Sequence, residues 1–134
     1  MSLTSGNVSQ RSRWNLIIIL GGLMAMQPFA LDPYLPAAPY IAKTFLVSDQ
    51  TMQLTLSALT LGFALGQLIT GPLSDSLGRR RPMLVAAVLY VIAAVIVVTA
   101  PNITVFFVGR VLQGVSAASI QVVGNAVMRD LYAG

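Results

Sequence analysis

The chain has 134 residues, of which 56% are hydrophobic and only 9% are charged. A soluble domain carries about 25% charged residues, so this composition excludes an ordinary soluble fold, and the abundance of apolar residues excludes disorder. Cysteine, histidine and glutamate are absent, which removes thiol and histidine catalysis and Cys/His metal sites. The net charge is +4, which is compatible with nucleic-acid binding, but the basic residues lie between apolar runs and do not form a basic polar face. We therefore expect a membrane protein that is not an enzyme, holds no metal and does not bind nucleic acid.

Four apolar stretches are about as long as the roughly 20 residues that a helix needs to cross a bilayer core. They cover residues 14–36, 50–74, 82–100 and 103–128. Hydrocarbon offers no hydrogen-bond partners, so each stretch must satisfy its own backbone groups, and an α-helix does this. The sequence therefore predicts an all-α, polytopic transmembrane protein with four membrane helices.

The distribution of lysine and arginine predicts the orientation of these helices, because cytoplasmic connections are rich in both residues. Lys43 is the only basic residue expected on one side of the membrane. The other side holds six arginines, which lie before the first span, between the second and third, and after the fourth: Arg11, Arg13, Arg79, Arg80, Arg81 and Arg129. Both termini are therefore predicted to be cytoplasmic.

Two charged residues, Asp32 and Arg110, lie in predicted spans, where charge is costly and often functional. Asp32 follows Arg13 by 19 residues and Arg110 precedes Arg129 by 19 residues. Both therefore lie about 28 Å from the arginine-rich side, where they can meet at one level. Protonation of the aspartate would then release the arginine. In the alternative interpretation, nearby prolines end the first helix and leave the aspartate in a solvated turn: Pro28, Pro33, Pro36 and Pro39.

The fourth span carries a polar stripe on one face, since Gln113, Gln121 and Asn125 are spaced by multiples of four. Such a stripe faces either a neighbouring helix through hydrogen bonds or a water-filled cavity. In the first span, Gln27 and Tyr34 lie in a proline-rich segment, which favours a bent or broken helix of the kind that lines transporter sites. The candidate cavity-lining residues are therefore Gln27, Tyr34, Gln121 and Asn125.

Small residues recur every four positions on two of the predicted helices. Each set shares one helix face: Ala58, Gly62, Gly66 and Thr70 in the second span, and Gly114 and Ala118 in the fourth. Small residues let helix backbones approach closely in lipid. Helix packing is the favoured interpretation, and direct contact with a substrate is the alternative.

The segment between the second and third spans combines turn residues with charge. Gly71 and Gly78 allow a tight turn between antiparallel helices, and Asp75 suits a helix end or an arginine partner. The arginines at 79–81 either only hold this connection on the cytoplasmic side or also take part in gating.

Four motifs resemble, in order and spacing, those of the major facilitator superfamily and of its Bcr/CflA drug-resistance branch. The superfamily motifs are Gly71-x-Leu73-x-Asp75-x-x-Gly78-Arg79-Arg80-Arg81 and Arg110-x-x-Gln113-Gly114. The motifs similar to the branch are Leu31-Asp32-Pro33-Tyr34-Leu35-Pro36-Ala37-Ala38-Pro39 and Met128-Arg129-Asp130-Leu131-Tyr132. Together they cover nearly the whole chain. Ser76 departs from the family pattern, which often has a basic residue at that place.

The resemblance implies a proton-driven exporter of small amphipathic drug-like compounds in the cytoplasmic (inner) membrane of a bacterium. The proton gradient would be its energy source, with no cofactor. The resemblance also implies that Arg110 and Gln113 take part in proton coupling and that Asp32 belongs to the cavity and to the proton site. It further implies a cytoplasmic gating motif formed by Gly71, Asp75, Gly78, Arg79 and Arg80.

The family has twelve helices in two halves, whereas four are predicted here. Alternating access needs both halves, so we expect an N-terminal fragment that does not transport by itself. Its expected partners are membrane lipid, a drug-like substrate and the missing C-terminal helices of the same transporter. One alternative is a small four-helix exporter acting as a dimer, although the chain lacks that class's membrane glutamate and has unbalanced flanking charge. A non-transporting membrane scaffold is the other alternative.

Overall fold

The computed structural model describes residues 10–133, except for the side chains of residues 27 and 30. Within this range the chain forms five helices and no strand: α1 (Gln10–Leu31), α2 (Tyr34–Phe45), α3 (Asp49–Leu77), α4 (Arg80–Val98) and α5 (Ile103–Tyr132). The predicted all-helical fold is confirmed for these residues. Three helices, α3, α4 and α5, are long and apolar enough to cross a membrane. The number of spans and the side on which the termini lie stay predictions.

The first predicted span, 14–36, differs from the structure. Helix α1 ends at Leu31, and a new helix, α2, begins at Tyr34 after the two-residue turn Asp32–Pro33. Pro33 and Pro36 fall just before and within the first turn of α2, where backbone N–H groups have no acceptor inside the helix. These prolines therefore allow a helix to start, and the segment expected to be a connection is helical as far as Phe45.

The ends of the long helices are closed by local side-chain and backbone contacts. The Ser48 hydroxyl accepts a hydrogen bond from the Thr51 N–H at 3.3 Å, and Asn102 Oδ1 accepts one from the Val105 N–H at 2.9 Å. Gly78 follows α3 with φ of 81°, a left-handed conformation that glycine adopts without steric cost. This turn carries the chain directly from α3 into α4.

Helix α5 is the central helix, and its closest neighbour is α3. A Cβ built on Gly62 would overlap with the backbone carbonyl of Val111, and one built on Gly114 would overlap with that of Leu59. The buried hydroxyl groups of Thr70 and Ser119 are hydrogen-bonded across the same interface at 2.6 Å. The small residues spaced by four on these two helices therefore form a packing surface, which we name the α3–α5 seam.

Helix α4 packs against the other side of α5 and leaves much of its surface aliphatic. The Tyr90 hydroxyl donates to the backbone carbonyl of Met26 at 2.9 Å, which ties α4 to α1. From Leu84 to Val98 the exposed side chains of α4 are all large and aliphatic: Leu84, Val85, Val88, Leu89, Val91, Ile92, Val95 and Val98. Such a face suits hydrocarbon rather than water.

Candidate functional site

The guanidinium of Arg110 is buried inside the helical assembly, with 4% of the residue exposed. Its Cζ atom lies 4.0 Å from the ring centroid of Tyr34 and 5.4 Å from that of Phe106. Its Nη1 donates to Oε1 of Gln113 at 3.1 Å, one helical turn further along α5. Aromatic faces attract a cation, and this attraction grows when water is excluded, so the site holds a desolvated positive charge in place.

Tyr34 is fixed by contacts with two other helices, α3 and α5, and it is itself only 4% exposed. Its hydroxyl lies 3.2 Å from the carbonyl oxygen of Met52 and is hydrogen-bonded to the hydroxyl of Thr55, both in α3. Its ring stacks on Phe106 of α5 with centroids 6.5 Å apart. The first residue of α2 therefore connects α3 to the arginine site. The role of Tyr34 in lining a cavity stays a prediction.

Asp32 does not form the predicted ion pair with Arg110 in this structure. The aspartate is exposed in the turn between α1 and α2. Between residues 10 and 133, both ion pairs involve Arg79 instead. The helix break brings Tyr34, two residues later, onto the guanidinium, so an aromatic ring occupies the place that we expected for a carboxylate.

The polar stripe of α5 runs from the buried site towards an open cleft. Gln113 is buried beside Arg110, Gln121 is half-buried and Asn125 is exposed. The Oε1 atom of Gln121 is buried and has no hydrogen-bond partner among the described residues. Gln27, the fourth candidate for the cavity, has a side chain that lies outside those residues. The stripe therefore offers polar groups that the described helices do not fully satisfy.

A second charged cluster lies at the opposite end of α5. Arg79 Nη1 donates to Asp75 Oδ1 at 2.8 Å and to the Ser74 hydroxyl at 2.9 Å, and Arg79 Nε lies 3.4 Å from Asp130 Oδ2. Arg79 thus bridges the end of α3 and the end of α5. Beside it is a cleft of about 420 Å³, lined by Gly71, Ser74, Asp75, Arg79, Val122, Asn125, Ala126 and Arg129.

The other residues of the predicted gating motif have distinct places around this cluster. Gly71 lines the cleft, Gly78 makes the left-handed turn, and Arg80 begins α4 with an exposed side chain. Sequence reasoning missed Asp130 as a partner of Arg79. The only signal was its place in the motif Met128–Tyr132, because the two residues are 51 positions apart and only the packing of α3 on α5 brings them together.

Comparison with known proteins places these motifs in a family context. The model of the Major Facilitator Superfamily matches residues 15–134. The chain is 38% identical to an MFS-type transporter of Bacillus subtilis, YdgK, over 96% of this chain and 32% of that protein. It is 35% identical to a bicyclomycin resistance protein homolog of Haemophilus influenzae, over 92% of this chain and 31% of that protein. It is also 35% identical to a chloramphenicol resistance protein of Pseudomonas aeruginosa, over 98% of this chain and 32% of that protein.

The chain spans about a third of the length of the curated relatives that it matches. No solved structure matches it. The family match covers almost every residue, and it includes the arginine site in α5 and the charged turn between α3 and α4. The chain therefore belongs to the major facilitator superfamily, whose members are membrane transporters rather than enzymes.

Proposed function

We propose that this chain is the N-terminal part of a proton-driven multidrug exporter of the Bcr/CflA branch, in the cytoplasmic membrane of a bacterium. The observation that carries the proposal is the buried guanidinium of Arg110 in a helix of membrane length. Burial of a permanent charge inside a membrane costs free energy, and charged residues at such places mark the pathways of transported ions and substrates. The names of the relatives, which mention resistance to bicyclomycin and to chloramphenicol, support export of drugs.

In this proposal Asp32 binds the proton, and Arg110 keeps its charge throughout the cycle. An ionised Asp32 is attracted to the guanidinium, and protonation removes that attraction. Asp32 precedes Tyr34 by two residues, and Tyr34 already touches the guanidinium, so a change in the α1–α2 turn suffices to exchange one partner for the other. The proton gradient supplies the energy, and no cofactor is needed.

The cluster around Arg79 acts in the same proposal as a gate on the cytoplasmic side. Its two ion pairs join α3 to α5 through exposed groups, and such pairs contribute at most about 1 kcal/mol each. They can therefore form and break within a transport cycle. Small amphipathic compounds are the proposed substrates, and the rest of the transporter supplies the second half of the cavity.

The experiment that tests the proposal uses the complete transporter that contains this chain. It is expressed in cells that lack their own drug pumps, and drug-dependent proton release is measured in inverted membrane vesicles. Asp32→Asn and Arg110→Ala are each expected to abolish this signal while the protein remains in the membrane. Lys43→Gln removes a cation from the exposed surface of α2 and is the matched control that keeps the signal. Unchanged drug-dependent proton movement in both Asp32→Asn and Arg110→Ala would refute the proposed roles.

The same proposal predicts that the 134 residues by themselves do not transport. Vesicles reconstituted with only this chain are expected to show no drug-dependent proton flux, because alternating access requires two halves that rock about a central site. The measurement compares these vesicles with protein-free vesicles in a proton gradient. A drug-dependent flux above that background would instead favour the four-helix exporter acting as a dimer.

A further inference from the structure

A long apolar groove lies between α3 and α4, and α5 forms its floor. Its volume is about 370 Å³, and its lining comprises Ile69, Thr70, Leu73, Leu77, Arg81, Pro82, Val85, Ala86, Leu89, Val115 and Ser119. We name it the α3–α4 groove. The hydroxyl groups in its floor, Thr70 and Ser119, are hydrogen-bonded to each other at 2.6 Å. The interior of the groove therefore suits an apolar ligand.

A single charged side chain, that of Arg81, lines one end of this groove. The arginines of the preceding turn differ in their contacts. Arg79 is held by Asp75 and Asp130, whereas Arg80 and Arg81 are exposed and form no ion pair within the described range 10–133. Arg81 is therefore available to an anion at the mouth of an apolar channel.

The surroundings of the groove indicate that it faces lipid. From Leu84 to Val98 the exposed side chains of α4 beside it are all large and aliphatic. The polar residues of α5 lie elsewhere, because Asn125 lines the cleft near Arg79, and neither Asn125 nor Gln121 lines the groove. In a membrane the polar side is covered by protein or water, and the aliphatic side meets hydrocarbon.

We propose that the α3–α4 groove binds one acyl chain of an anionic phospholipid, with the lipid phosphate on Arg81. A guanidinium pairs strongly with phosphate, and basic pockets between membrane helices on the cytoplasmic side bind anionic head groups. From Arg81 to Leu89 the groove extends about 12 Å along α4, so a head group at one end leaves the chain to run over the leucine and valine side chains. The inference depends on placement in a membrane and not on proton coupling or drug transport.

The test uses tryptophan fluorescence in vesicles of phosphatidylcholine that contain a minority of phosphatidylglycerol. The test uses the 134-residue chain, in which Trp14→Phe replaces its single tryptophan and Leu89→Trp then places one reporter in the groove. Bromine atoms, which quench tryptophan, are carried on the acyl chains of either phosphatidylglycerol or phosphatidylcholine at equal amounts. We expect quenching to show about fivefold enrichment of the anionic lipid at the reporter, which matches one arginine near an anionic head group.

Three controls make the result specific. Val95→Trp places the reporter in a second apolar groove that has no charged residue, so both brominated lipids should quench it equally. This groove is lined by Met26, Tyr90, Val91, Ala94, Val95, Val98 and Thr99. Arg81→Gln should remove the preference at Leu89→Trp. Arg80→Gln loses the same charge outside the groove and should keep most of the preference. Circular dichroism verifies that the helical content of both arginine variants is unchanged.

Three results would overturn the proposal. Equal quenching by the two lipids at Leu89→Trp with Arg81 intact would show that the groove does not select an anionic lipid. A preference that survives Arg81→Gln would assign the selection to the general positive charge of the turn. Absence of quenching by either lipid would equally contradict it, because the groove would then be closed to acyl chains.

Discussion

At the scale of single residues, Arg110 imposes the strictest requirement on its neighbours. A buried cation that loses its compensating contacts costs several kcal/mol, typically about 3–5 kcal/mol when a whole partner is removed. Here the compensation includes two aromatic rings and the side chain of Gln113. Tyr34 is the closest ring, and its hydroxyl is in turn held by α3. The stability of the site should therefore depend on that ring more than on that hydroxyl.

We predict that two substitutions of Tyr34 separate these contributions. Tyr34→Phe keeps the ring and should lower the free energy of unfolding by about 1 kcal/mol through the lost hydrogen bonds. Tyr34→Leu also removes the ring from the guanidinium and should lower it by about 2–4 kcal/mol. The measurement is reversible unfolding in mixed micelles, followed by circular dichroism.

The matched control is Tyr40→Phe, because Tyr40 is 74% exposed. This substitution should change the free energy of unfolding by less than about 0.5 kcal/mol. If Tyr34→Leu costs no more than Tyr34→Phe, the ring does not stabilise the buried arginine.

At this site the predicted contacts of Arg110 differ from those in the structure. The count of residues along two antiparallel helices placed Asp32 level with Arg110, and the residue that touches the arginine is Tyr34, only two positions away. We expected a carboxylate because an arginine attracts an opposite charge. The spacing of residues along the sequence does not show which aromatic ring is buried beside the guanidinium. The ion pair between Arg79 and Asp130 was not predicted for a similar reason, since it depends on how α3 crosses α5.

At the scale of helices, the α3–α5 seam is the tightest contact in the described structure. Backbone atoms of the two helices approach closely at Gly62, Gly66 and Gly114, so there is no room for a side chain at these positions. The recurrence of small residues every four positions predicted that each of these faces packs against a helix, and the structure shows that the two faces pack against each other. The spacing of four follows from the number of residues in a helical turn, so it can be read directly from the sequence.

We predict that Gly62→Ala destabilises the protein by about 1–3 kcal/mol, because the new methyl group meets a backbone carbonyl that cannot rotate away. Unfolding in mixed micelles measures this effect. Gly22→Ala is the matched control, since a Cβ at Gly22 meets nothing within 4 Å. It should leave stability unchanged or raise it by up to about 1 kcal/mol, through helix propensity. Equal effects of the two substitutions would contradict a tight seam.

The α1–α2 segment shows what the proline content predicted and what it did not. One interpretation of the four prolines between residues 28 and 39 was that the first helix ends and leaves Asp32 in a solvated turn, and the structure agrees, since α1 ends at Leu31 and Asp32 is exposed. The new helix that begins at Tyr34 was not predicted. Pro33 and Pro36 lie at the start of α2, where no backbone hydrogen bond within the helix is lost, whereas Pro28 and Pro39 lie further inside their helices. The position of a proline relative to the first turn thus decides its effect, and that position is known only once the helix start is known.

At the scale of the whole molecule, the arginine distribution predicts the orientation in the membrane. The chain has no cysteine, so single cysteines report cleanly on accessibility. We predict that an impermeant maleimide modifies Asn102→Cys in intact cells, because this residue caps α5 in a connection that is predicted to lie on the outer side. Ser76→Cys, near the arginine-rich turn, should react only after the membrane is permeabilised. The reverse pattern would mean that the termini lie outside the cell.

The helical class and the family motifs could be predicted because both depend on composition and local spacing. The sequence could not predict what covers the polar stripe of α5, since this depends on how other helices are placed around it. Gln121 keeps a buried oxygen without a partner in the described part of the chain, and Asn125 stays exposed in a cleft. The relatives are about three times as long as this chain. We therefore propose that further helices of the transporter pack on this face.

The α3–α5 seam has a mechanical consequence. Helix α5 carries the buried guanidinium near one end and Asp130 near the other, about 30 Å away along its axis. Interlocked backbones prevent α5 from sliding along α3, so the pair responds to force as a stiff lever. A tilt of this pair therefore displaces the arginine and the cluster around Arg79 together, with no relay of side chains in between.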